Sequence, residues 1–259
     1  MRLKGILYFS VFLLFATSVQ AQKFLDKPFT SWSRENAMDV ITASPWAKIY
    51  QNMSASASAD MREAARSQSD NRLSGQERGR SERSGGTAPV IARLHSATPI
   101  RQALVRLNQL ASGYDKMDTQ QKVAFDEKAK GLLECAICQS HYVVTMTQAP
   151  NTSGQSVEEA IFQGMTFEQM KGNIWIEDEQ GRKRELVQFI APQKRGDSAV
   201  FFFPRKDDSG QVLFSESSKE VNVVFNNNFL VTSNRFSSLV PRRYEFMVSK
   251  MKFGDTAAF

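Results

Sequence analysis

The feature that most constrains this chain is a change of composition between Asn52 and Pro89. Ser, Ala, Arg, Glu, Gln and Gly dominate there, and aromatic residues vanish. Ser54 to Ala59 alternates Ser and Ala, and Arg78 to Gly86 carries no apolar side chain. Six Arg stand against five acids between Asp60 and Arg83, so the charges nearly cancel. A stretch of this kind cannot bury enough surface to offset the entropy of ordering it, which predicts a disordered linker over residues 52–89. Whatever folds must be built from the text on either side: a segment at 22–51 and a body at 90–259.

Those flanks have the material for a core. The 259 residues are 41% hydrophobic and 23% charged, ordinary proportions for a globular protein. They exclude collagen-like, coiled-coil and multi-span membrane chains. Two cysteines exclude a disulfide-dense scaffold.

Residues 1–21 read as a signal peptide. Arg2 and Lys4 precede an apolar run from Ile6 to Phe15, and Val19-Gln20-Ala21 places small or β-branched residues before a cleavage near Ala21. The run is too short for a spanning helix, and no later stretch holds 18 consecutive apolar residues. The expected location is therefore extracytoplasmic, periplasmic or secreted. Loss of Arg2 and Lys4 lowers the net charge from +6 to +4. No basic stripe with interleaved aromatics accompanies that charge, so nucleic acid is not an expected partner.

In segment 22–51, Ser31 or Ser33 can cap a helix whose Ala37, Val40 and Ile41 share a face. Pro45 restricts Ser44 and stops that helix. Trp32, Trp46 and Tyr50 then suggest a docking surface. They pack either on the chain's own core or on an envelope protein partner, since aromatics are enriched at interfaces.

Beyond the linker, Thr98-Pro99 opens a helix carrying Ile100, Leu104, Leu107 and Leu110, ended by Gly113. Asp118 to Gln121 offers a capping box for a second helix running to Cys135. From Tyr142 the period changes to two. Strands are expected at 142–147, 173–177, 184–189, 198–203, 211–214, 220–225 and 243–248, with a helix at Val157 to Met170. The fold class is thus α+β: a helical hairpin followed by an antiparallel sheet or small sandwich.

Chemistry concentrates at Cys135-Ala136-Ile137-Cys138. Three readings stay open. The pair can be a short-loop disulfide or two buried thiols at a helix-to-strand junction. It can be a thiol–disulfide exchange site, although a helix C-terminus disfavours a thiolate. Or Cys135, Cys138 and His141, with His95 as the other histidine, can bind zinc as a Cys2His2 set. Otherwise no cofactor is expected. Covalent haem attachment is disfavoured because Gln139, not His, follows the second Cys. No nucleophile elbow, phosphate loop or H-E-x-x-H motif occurs.

Trp32-Ser33, Ala37, Ile41 and Ser44-Pro45-Trp46-Ala47-Lys48 resemble the N-terminal signature of a group of uncharacterised secreted bacterial proteins, in which W-S-x-x-x-A and S-P-W-A-K follow a signal peptide. Tyr142-Val143-Val144, Phe203-Pro204-Arg205 and Phe246 to Phe253 are similar to weaker blocks further on. The resemblance implies export and organisation rather than a reaction. The expected function is a binding or assembly module of the cell envelope. The alternative is an extracytoplasmic enzyme, acting by thiol redox through Cys135 and Cys138 or as a hydrolase. The small-molecule substrate is unspecified.

Overall fold

The computed structural model describes residues 24–50, 89–148, 161–194, 196–232, 240–254 and 256–259. The signal-peptide and linker expectations fall almost wholly outside these residues.

The chain is α+β, with antiparallel sheets. Helix α1 (Arg34–Ala43) starts where Ser33 accepts from the Asn36 N–H and Asn36 returns a side-chain bond to the Ser33 N–H. It ends at Ser44, one residue before Pro45. Strand β1 (Ala47–Tyr50) follows at once. Strand β2 (Val90–Leu94) pairs with it antiparallel, Tyr50 opposite Val90 and Ala47 opposite Arg93. The low-complexity stretch therefore leaves from and returns to one hairpin. Segment 22–51 supplies an edge strand of the same sheet that the later chain builds.

Helix α2 (Thr98–Ala111) has Ala97, not Thr98, at its N-cap position, with Pro99 in its first turn. Gly113 takes a left-handed φ of 71°, which turns the chain toward α3 (Thr119–Glu134). Asp118 and Gln121 form the expected capping box on α3. Cys135 closes α3 with φ 45°. No side chain of α3 is fully buried. The hairpin rests instead on α2, whose Ile100 and Ala103 enter the core.

Then follow in order β3 (His141–Gln148), α4 (Phe167–Met170), β4 (Ile174–Asp178), β5 (Lys183–Glu185), β6 (Gln188–Ile190), β7 (Ala199–Pro204), β8 (Glu220–Phe225) and, after α5 (Asn227–Thr232), β9 (Arg243–Met247). A two-stranded ribbon of β10 (Lys252–Phe253) and β11 (Thr256–Ala257) closes the chain. The main sheets run β1-β2-β3-β7-β6 and β5-β4-β8-β9.

The two sheets share one core. Val90, Ala92 and Leu94 of β2, Tyr142, Val144 and Met146 of β3, and Ala199, Phe201 and Phe203 of β7 point inward as alternate residues. They join Ile174, Ile176, Val221, Val223, Phe225, Tyr244 and Phe246 from the second sheet. Phe162 bridges the layers, edge-on to Phe201 and stacked on Phe225 with centroids 5.4 and 6.0 Å away. Each of the Val, Leu, Ile, Phe and Met side chains among them stabilises the fold by about 1.5–3 kcal/mol on burial. Helices α1 and α2 cover part of the opposite face of the five-stranded sheet.

Three expectations need correction. The strand read at 184–189 is two strands: β5 belongs to the four-stranded sheet and β6 to the five-stranded sheet, with Leu186 and Val187 carrying the chain across. The strand at 211–214 reduces to a single bridge between Lys206 and Val212, because Leu213 and Phe214 turn into the core. Of the helix at 157–170, only Phe167–Met170 is helical among the described residues, since Phe162 and Gly164 adopt positive φ.

Candidate functional site

Trp32 and Trp46, left open between the chain's own core and a partner surface, lie 1% and 0% exposed in the chain's own core. The Trp46 indole N–H donates to the Ala258 carbonyl at 2.5 Å, and the Trp32 indole N–H donates to the Lys27 carbonyl at 3.1 Å. Phe24 meets Trp32 edge-on at 5.5 Å. Tyr50 is half-buried against the same core. Sequence alone could not separate core from interface, because an indole satisfies either. Of the two alternatives, the core is the one both Trp side chains take, and neither offers a partner surface.

Cys135 and Cys138 form a disulfide, with Cα atoms 5.3 Å apart. Both residues are buried among Val143, Phe202 and Val200. The bond consumes both sulfurs as metal ligands, so the Cys2His2 set does not assemble. Among the described residues no group of three His, Cys, Asp or Glu is placed to hold a metal ion. His141 begins β3 and its Nδ1 lies 2.8 Å from the Ser140 hydroxyl. His95 lies in the turn after β2. The apolar burial and the helix C-terminus both disfavour a nucleophilic thiolate at this pair.

The arrangement that could take a ligand lies elsewhere. Pairing aligns Arg93 on β2, Thr145 on β3, Val200 on β7 and Ile190 on β6 in one row across the outer face of the five-stranded sheet. An open cleft of about 390 Å³ lies over this row, lined also by Leu104, His95, Pro192, Asp197 and Ser198. Apolar walls with few polar groups are the usual make-up of small-ligand sites.

The cleft's polar groups are held firmly. Arg93 is buried, and its Nε donates to the Ile41 carbonyl at 2.6 Å, capping the end of α1. Its Nη1 donates to the Thr147 hydroxyl at 3.2 Å, and that hydroxyl lies 2.5 Å from Ser198 Oγ. Burial lowers the Arg93 pKa to about 10. His95 is pushed down to about 4 by burial and then by the positive charges of Arg101 and Arg93, so it is neutral at pH 7. Its Nδ1 is buried without a hydrogen-bond partner. Asp197, on the cleft's rim, accepts from the Gln193 and Lys194 N–H groups at 3.2 and 3.1 Å.

Sequence reasoning named His95 but missed Arg93, Thr145, Ile190 and Ser198. One signal was available: Arg93 is the lone charge in the apolar run Val90-Ile91-Ala92-Arg93-Leu94. Comparison of the chain with protein-family models, with curated proteins and with solved structures finds no match to any of them.

Proposed function

We propose that this protein is an exported binding module of the cell envelope, and that the cleft over Arg93, Thr145, Val200 and Ile190 is its ligand site. The observation that carries the reading is the cleft itself: a concave, part-apolar surface on a rigid sheet, with the partnerless His95 Nδ1 beside it. Rigid strands hold such groups more accurately than loops do. The Cys135–Cys138 disulfide supports export, because such bonds persist in oxidising compartments and are rare in the cytosol. Among the described residues no helix is long and apolar enough to cross a membrane.

Native mass spectrometry of the protein isolated from the envelope tests the reading. The wild type should carry, or take up from an envelope extract, a small molecule that Ile190→Trp excludes. Ile190 is 47% exposed on an edge strand, so a larger side chain can fill the cleft there without disturbing the core. A wild type that takes up no molecule excluded by this variant would contradict the proposal.

A further inference from the structure

From the same cleft we infer the chemical class of its ligand: a small amphipathic anion, a carboxylate on a short apolar tail. The inference rests on the binding reading above and concerns the charge that surrounds the cleft. Arg93 and Arg101 are both buried. Arg93 donates to the Ile41 carbonyl and the Thr147 hydroxyl. Arg101 donates to the Leu133, His95 and Ser96 carbonyls and to the Thr98 hydroxyl. Every one of these acceptors is neutral. Among the described residues the ion pairs involve other arginines, Arg106, Arg182, Arg184 and Arg243.

Two buried guanidinium groups without a carboxylate partner are costly, and hydrogen bonds to neutral oxygens offset only part of that cost. Of the two, Arg93 lines the cleft, and an anion there would supply the charge its guanidinium lacks, while Arg101 bonds the His95 carbonyl behind it. Burial first, and then both guanidinium charges, disfavour protonation of His95 beside them. Asp197 also lines the cleft, and its Oδ2 accepts from the Gln193 and Lys194 N–H groups, which offset part of its charge. The polar chain Arg93–Thr147–Ser198 offers hydrogen bonds to a headgroup, and Leu104, Pro192, Ile190 and Val200 offer apolar contact to a tail.

The test compares three probes with the same tail, octanoate, octan-1-ol and octylammonium, each titrated into the isotope-labelled full chain and followed by amide NMR shifts. Octanoate should shift Arg93, Thr145 and Ser198 saturably. Octan-1-ol should bind roughly tenfold more weakly, the scale of one charge-assisted hydrogen bond, and octylammonium should leave these amides unmoved. Ser198→Asp places a carboxylate in the cleft lining, on the polar chain that leads to Arg93. It should weaken octanoate by roughly tenfold or more while leaving the thermal midpoint undiminished, since the new charge also serves Arg93. If Ser198→Asp fails to fold, Ile190→Trp must abolish the octanoate shifts in its place. Equal binding of octan-1-ol or octylammonium at these residues overturns the anion assignment and leaves the cleft as a binding site. If none of the three binds, the assignment also falls, and the native mass spectrum alone then decides whether the cleft binds anything.

Discussion

Tyr50 and Val90 face one another across an antiparallel ladder, although residues 51 to 89 separate them in the chain. The next pairs, Ile49 with Ile91 and Lys48 with Ala92, continue the register, and the Leu94 N–H donates to the Trp46 carbonyl at 2.9 Å. Three further bonds hold the N-terminal segment to the body: Arg93 to the Ile41 carbonyl, Arg106 to the Trp32 carbonyl, and the Trp46 indole to the Ala258 carbonyl. The low-complexity stretch is thus an excursion from one hairpin. It does not connect two independent units.

If Trp32 and Trp46 belong to the core, removing either should cost stability. Trp32→Ala and Trp46→Ala should each lower the unfolding free energy by about 3–5 kcal/mol in urea titrations, the usual cost of truncating a buried aromatic. A Trp175→Phe variant should emit blue-shifted fluorescence that iodide does not quench, because Trp175 is the half-exposed indole. Strong quenching of the remaining two indoles would place them at the surface.

The Cys135–Cys138 bond closes a very short loop, so its contribution should be modest. Replacing both cysteines by Ala should cost about 2 kcal/mol, the chain-entropy value for a loop of this length. Both residues are buried. Alkylation of the native protein in mild reductant should therefore be slow, and it should become rapid once denaturant is added. Rapid labelling of the native protein would revive the exchange reading.

His95 makes stability depend on pH. An unfolded histidine titrates near 6.5, and the folded one titrates near 4. Between these values the unfolded chain binds a proton that the folded chain refuses, so stability falls as the pH drops through that window and is level above it. Between pH 7 and pH 4.5 the wild type should lose about 2 kcal/mol more than His95→Gln does. Equal losses would show that His95 is not buried as described.

Helices α1, α2 and α3 and most of the second sheet were legible because their signals are local. Ser33 with Asn36, Asp118 with Gln121, and Gly113 settle helix ends within a turn of chain. Strands β7, β8 and β9 alternate or run apolar between polar turns. What was not legible depended on distant partners. Val90 to Leu94 lies beside low-complexity text, and its role is set by Ala47 to Tyr50 on one side and His141 to Gln148 on the other. The split at Leu186 and Val187 follows from which sheet each half meets. The candidate site was hidden for the same reason: Arg93, Thr145, Val200 and Ile190 come from four strands and align only through sheet register.

The hairpin across residues 51 to 89 can be tested by removing them. Deleting 51–89 and joining Tyr50 to Val90 through Asn-Gly, a pair suited to a tight hairpin turn, should leave one cooperative thermal transition. Its stability should rise by roughly 1–3 kcal/mol as the loop-closure cost falls. The same single transition, at a higher midpoint than the parent, is the predicted result. Loss of folding, or a separate early transition for the N-terminal segment, would contradict the account that β1 and β2 form one hairpin in one body.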